Sequence, residues 1–134
     1  MLGSTFTSLQ VAAMAAGFLL LGVQADADPL SVGDRIEPFT LEDQHGESHT
    51  LDGSVEVVLF SRDMEGGELL KEALAETPPG FLSEKSAIYV SDISGMPGLV
   101  ARMIAIPRMR DRPYPMWLDR EGEATARLPD QAGK

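Results

Sequence analysis

The chain has 134 residues, 21 of them acidic, 11 Lys or Arg and none cysteine, for a formal net charge of −10. That length sets one domain. The absence of cysteine excludes disulfides and all thiol chemistry, and the negative balance excludes nucleic acid, whose phosphates need a positive face.

The first charged side chain is Asp26 and the first basic one Arg35. Before them, Val11 to Val23 is an apolar run, shorter than the ~20 residues that cross a bilayer but suited to the hydrophobic stretch of a signal peptide. Small-x-small patterns follow at Val23-Gln24-Ala25 and Ala25-Asp26-Ala27. The expected division is a signal peptide over 1–25, a polar leader over 26–32 and a folded domain over 33–134, with cleavage after Ala27 as the second choice. The product would be periplasmic or secreted, with no membrane attachment after cleavage. A lipidated N-terminus is excluded because that route needs a cysteine. With no disulfide, the domain must be held by its core. Charge is uneven: 16 acidic against 4 basic side chains lie in 26–92, and 5 against 7 in 93–134. An anionic ligand would therefore prefer the second half.

Phe39-Thr40-Leu41-Glu42-Asp43 alternates, Gln44-His45-Gly46-Glu47 reads as a turn, and Ser48 to Leu51 as the returning strand of a β-hairpin. Val55 to Phe60 is almost all apolar, the pattern of a strand buried on both faces. Leu69, Leu70, Ala73 and Leu74 then fall at helical spacing, and Pro78-Pro79-Gly80 ends that helix. Ala87 to Asp92 is a second buried strand, which makes a parallel βαβ unit. A further helix is expected over Met96–Ile106, with Leu99, Val100, Met103 and Ile104 as its inward stripe and Pro107 as its stop. Met116 to Asp119 reads as a third strand, Arg120-Glu121-Gly122 as a turn, and Glu123 to Leu128 as its antiparallel partner.

This order, with Arg112-Pro113-Tyr114-Pro115 leading into Met116-Trp117-Leu118-Asp119-Arg120-Glu121-Gly122, resembles the thioredoxin-like proteins of exported thiol-disulfide oxidoreductase and peroxiredoxin type. Val32-Gly33-Asp34 through Asp43 is similar to the leading hairpin of those proteins. The resemblance implies an α/β thioredoxin-like fold: an N-terminal hairpin, a βαβ unit, a helix and a C-terminal hairpin, with the family's last helix missing. It implies helices on both faces of the sheet and a cis bond at Arg112–Pro113 or, failing that, at Tyr114–Pro115. An uncovered apolar face, with self-association or only partial folding of the 26–134 chain, is the expectation from the shortened end. Where the family keeps its redox cysteine, this chain has Ser61-Arg62-Asp63-Met64-Glu65-Gly66-Gly67, and a serine cannot supply the thiolate. Redox function does not carry over.

In that frame two loops would meet as an arginine-rimmed cleft for a carboxylate or phosphate. Its candidate residues are Arg62 and Asp63 from one loop, and Arg108, Arg110, Arg112, Pro113 and Tyr114 from the other. The competing account is a solvated charged loop. His45 and His49, with Glu42, Asp43 and Glu47, could face a metal, though polar hairpin turns are common without one. Met64, Met96, Met103, Met109 and Met116 could suggest a copper(I) site of thioethers, but Met103 and Met116 fall on inferred buried faces, where filling core gaps explains at least those two. Ser61 lacks a nucleophile-elbow sequence, and no GxGxxG accompanies any strand. The reading is a non-catalytic exported binding module with no cofactor and no metal. Its partners would be a small anion or another exported protein. The alternatives are a cysteine-independent oxidoreductase, or partner of a flavin enzyme, and a truncated relative without function.

Overall fold

The computed structural model describes residues 28–129. The expected signal peptide lies outside them. The described chain forms β1 (Thr40–Asp43), β2 (Ser48–Thr50), β3 (Val57–Ser61), α1 (Met64–Ala73), α2 (Phe81–Glu84) and β4 (Ala87–Asp92). A rod follows, made of α3 (Gly98–Val100), a π-helical turn (Ala101–Ala105) and α4 (Ile106–Met109), and then β5 (Met116–Asp119). The result is a mixed α/β domain with a five-stranded sheet in the order β2-β1-β5-β4-β3. β3, β4 and β5 are mutually parallel, and the β1–β2 hairpin joins through antiparallel pairing of β1 with β5.

Strand alternation builds two separate cores. On one face Tyr89, Met116 and Leu118 pack with Leu74, Leu82, Ala101 and Ile106 from the helices. On the other, Val90 and Trp117 pack with Leu51, and Phe39, Leu41, Val55 and Phe60 close around them. Among the described residues all helices therefore lie on one face, where the resemblance implied both. On the opposite face the chain leaving the hairpin packs Leu51 and Val55 onto Val90 and Trp117.

The leading hairpin and the parallel βαβ unit form as the patterns indicate, and several other expectations are corrected. The segment 123–128 is a run of turns and not a strand. Both edges of β5 are already taken, by β1 and by β4, so a C-terminal hairpin has no edge left to pair with. No cis peptide bond occurs among the described residues, so Arg112–Pro113 and Tyr114–Pro115 are both trans. Helix α1 starts earlier than its apolar spacing implied. Asp63 caps it, accepting from Gly66 N–H at 2.7 Å, and Leu69 faces outward. Residues 81–84, read as loop, form α2 on the αL glycine Gly80.

The rod is rotated relative to its expected stripe. Leu99, Val100, Met103 and Ile104 are exposed, while Ala101 and Ile106 are buried. Those two are five residues apart, the spacing of a π turn, and Ile106 N–H bonds the Ala101 carbonyl. The widened turn also lets Pro107, which lacks an N–H, sit inside the rod, where an unbroken α-helix would clash with it. Phase is set upstream. Ile93 is buried, Met96 packs on the same core, and Met96 N–H bonds Ile93 O at 3.0 Å. The small side chain of Ala101 then allows a close approach to the sheet.

Candidate functional site

In open α/β sheets, ligands bind outside the C-terminal ends of parallel strands. Here β3, β4 and β5 end together at Ser61-Arg62, Asp92 and Asp119. The side chains there engage one another. Arg62 donates from Nε to Asp92 Oδ2 at 3.1 Å and from its terminal nitrogen to the Thr125 carbonyl at 2.7 Å, with its guanidinium 5.0 Å from the Phe60 ring centre. Asp119 is buried and accepts from Gly122 N–H at 2.9 Å, Thr125 N–H at 2.9 Å and Thr125 Oγ1 at 2.8 Å. The Asp119-x-x-Gly122 stretch thus folds the turn after β5. At Gly122 φ is +79°, and a Cβ would stand 2.7 Å from Ser94 Oγ, so glycine is required on both counts.

One step inward, under the helices, Ser61 Oγ lies 3.1 Å from the Tyr89 hydroxyl and donates to Ser91 Oγ at 3.3 Å. The rings of Tyr89 and Tyr114 stack with centres 6.0 Å apart. Burial pushes both phenols up; the Ser61 bond opposes this at Tyr89, and the charge of Arg112 opposes it at Tyr114. A raised phenol stays protonated at neutral pH, so neither is a base there.

The predicted cleft is not assembled. Because β5 runs parallel to β3 and β4, the chain before it sits at the opposite end of the sheet from Arg62 and Asp63. The register places Met116 level with Tyr89, and Ser61 level with Ser91. Tyr114 is thus separated from Arg62 by about five residue rises, roughly 16 Å of strand. Asp63 serves α1 as its cap. Arg110 donates from Nε to the Gln44 carbonyl at 3.1 Å. Arg108 and Pro113 are exposed, and Arg112 is half-buried near the two tyrosines.

The residue that organises the 108–115 loop was read only as part of a turn. Gln44 is buried and donates from Nε2 to the carbonyls of Met109 (3.2 Å) and Tyr114 (2.9 Å), while its Oε1 accepts from Met116 N–H at 2.8 Å. A polar residue in a hairpin turn carries no local sign of such distant partners.

The hairpin itself holds Asp43, Glu47 and His49 with their ligand atoms within 4.8 Å of one another; His45 stands outside the group. Asp43 already accepts from His45 N–H (2.8 Å) and Glu47 N–H (3.0 Å) and bonds His49 Nε2 at 2.7 Å. Burial works to raise this carboxyl, but the bonds from His49 and the two amides, with the histidine's charge, outweigh it and hold the group below its usual value. His49 in turn stacks on Trp117, centres 5.1 Å apart. These contacts make the trio a brace for the hairpin. A separate surface cleft of about 390 Å³ opens between the leader and the 123–128 turns, where Arg35 and Arg127 alternate with Glu37 and Glu123.

Among the described residues no helix is long and apolar enough to cross a membrane. No family, curated protein or solved structure matches the chain.

Proposed function

We propose that this chain is a non-catalytic binding module that acts in an exported space and presents the outer side of its helical layer to another protein. One observation carries the reading. Leu99, Val100, Met103 and Ile104 stand in succession on the rod's outer side, with Leu99 64% and Met103 66% exposed. Single exposed apolar residues are ordinary, but a contiguous row of four large ones marks an interaction surface. The polar interior supports the same reading from the other side. Asp43, Gln44, Ser61, Asp119 and Thr125 are buried, and each is engaged in bracing a strand, loop or turn. The thioredoxin-like assignment belongs to this proposal. The leading hairpin, the β3-α1-β4 unit and the Asp119–Gly122 turn support it; β5, lying parallel beside β4, does not.

The test is covalent capture. A photo-crosslinking amino acid in place of Met103 should yield discrete protein adducts when the full chain is illuminated in the cells that make it. The same group in place of Glu121, on the exposed turn after β5, should yield none. Absence of any adduct at position 103, in a chain that is folded and abundant, would overturn the reading.

A further inference from the structure

We infer that the protein docking on the helical layer is a second copy of this chain, packed helix layer to helix layer about a twofold axis. This rests on the binding-module reading and names its partner. The second observation lies on α1, a helix of the same layer. Its outer side exposes Met64 (80%) and Leu69 (52%) in a shallow depression of about 350 Å³ rimmed by Glu65, Glu68 and Glu72. The rod's outer side has the opposite sign. Arg102 stands among Leu99, Val100, Met103 and Ile104, Arg108 follows, and residues 98–110 contain no acidic side chain.

One layer thus carries two apolar patches, one acidic and one basic. Both α1 and the rod pack on the same core beneath, so their outer sides belong to one surface. In a twofold pair every contact occurs twice. The acidic patch of each copy then meets the basic patch of the other, and six large apolar side chains per copy leave water together. A foreign partner would have to reproduce both signs in the same order, whereas this molecule already holds them. Lys71 pairs with Glu68 at 3.6 Å but is itself half-exposed, so α1 keeps an acidic excess.

Sedimentation equilibrium of the full chain tests this, because charge reversal has a pattern that only such a pairing produces. Wild type should be a dimer at ~100 µM and weaken with added salt. Reversing the acidic side (Glu68→Lys with Glu72→Lys) or the basic side (Arg102→Glu with Arg108→Glu) should each raise the dissociation constant at least ~10-fold. The two reversed proteins should pair with each other when mixed, and a chain carrying all four changes should regain the homodimer. These positions are exposed, and circular dichroism will report that each variant is folded. A monomeric wild type overturns the inference, whether the apolar row is then covered by residues 11–23 of the same chain or by a different protein. So do reversals that leave the constant unchanged. A Met103 adduct to another protein, with a monomeric chain, would overturn the dimer and keep the binding module; no adduct at all would overturn both.

Discussion

Gln44 directs both amide hydrogens and its amide oxygen at one loop, tying the hairpin turn to the carbonyls of Met109 and Tyr114 and to the N–H that opens β5. Truncating it would leave the buried Met116 N–H and two part-buried carbonyls without partners, a buried group of this kind costing about 1–3 kcal/mol. Gln44→Ala should therefore lower stability by about 3 kcal/mol, read as a shift of the urea midpoint at unchanged slope. An undisturbed midpoint would mean that water replaces the side chain. The tyrosines give a second residue-level outcome. The chain has only two, Tyr89 and Tyr114, and burial raises both above 10.0. A group whose folded value is raised contributes stability that is whole below the unfolded value and lost as pH climbs through the folded one. The ultraviolet tyrosinate band at pH 10 should be weaker in the folded chain than in an unfolded one, which would be about half ionised there, and should rise together with loss of circular dichroism. A normal midpoint near 10 would contradict the stacked, buried placement.

At the scale of elements, the strand patterns of β1, β2, β3 and β4 were legible, because those segments read the same locally as they do in the fold. Burial of β3 on both faces was a misreading, since β3 is the edge of the sheet, with Val57 exposed and Val58 to Phe60 half-buried. The segment after β5 was not legible. Residues 123–128 alternate like a strand, yet their conformation is decided by whether an edge is open, and β1 and β4 hold both. A buried carboxylate shapes the segment instead. Asp119→Asn keeps the size but removes the charge that strengthens its three bonds, a loss of about 2–3 kcal/mol. Hydrogen exchange at Gly122 and Thr125 should accelerate far more than at Tyr89 in the adjacent strand. Equal acceleration at all three would mean that the turn has no separate stability. The rod was misread for another reason. It carries two apolar faces, and sequence spacing cannot choose between them. The π turn and the anchoring of Ile93 and Met96 choose the face of Ala101 and Ile106. Leu99, Val100, Met103 and Ile104 are left outside.

At the scale of the molecule, the predicted cleft failed on a single topological fact, the direction of β5. Arg62 and Tyr114 are close only if the strand after Tyr114 runs back toward β3's start, and nothing in either loop's residues encodes that. What composition did encode is the opposition of charge between the two halves of the chain, which reappears as an acidic α1 and a basic rod over one core. The sheet order has a consequence for synthesis. Its middle strand, β5, is the last of the described strands to be made. Until residue 119 has left the ribosome, the hairpin at the front of the chain and the βαβ block behind it are two half-sheets, each with an open edge and no route to the other. Unpaired edges of that kind join readily to neighbouring chains, and long-range pairings close slowly. A nascent chain must therefore carry the edge of β1 open from about residue 50, and that of β4 from residue 92, until β5 is made. Holding it extended until it is complete would protect it, and passage through a membrane in an unfolded state would do that.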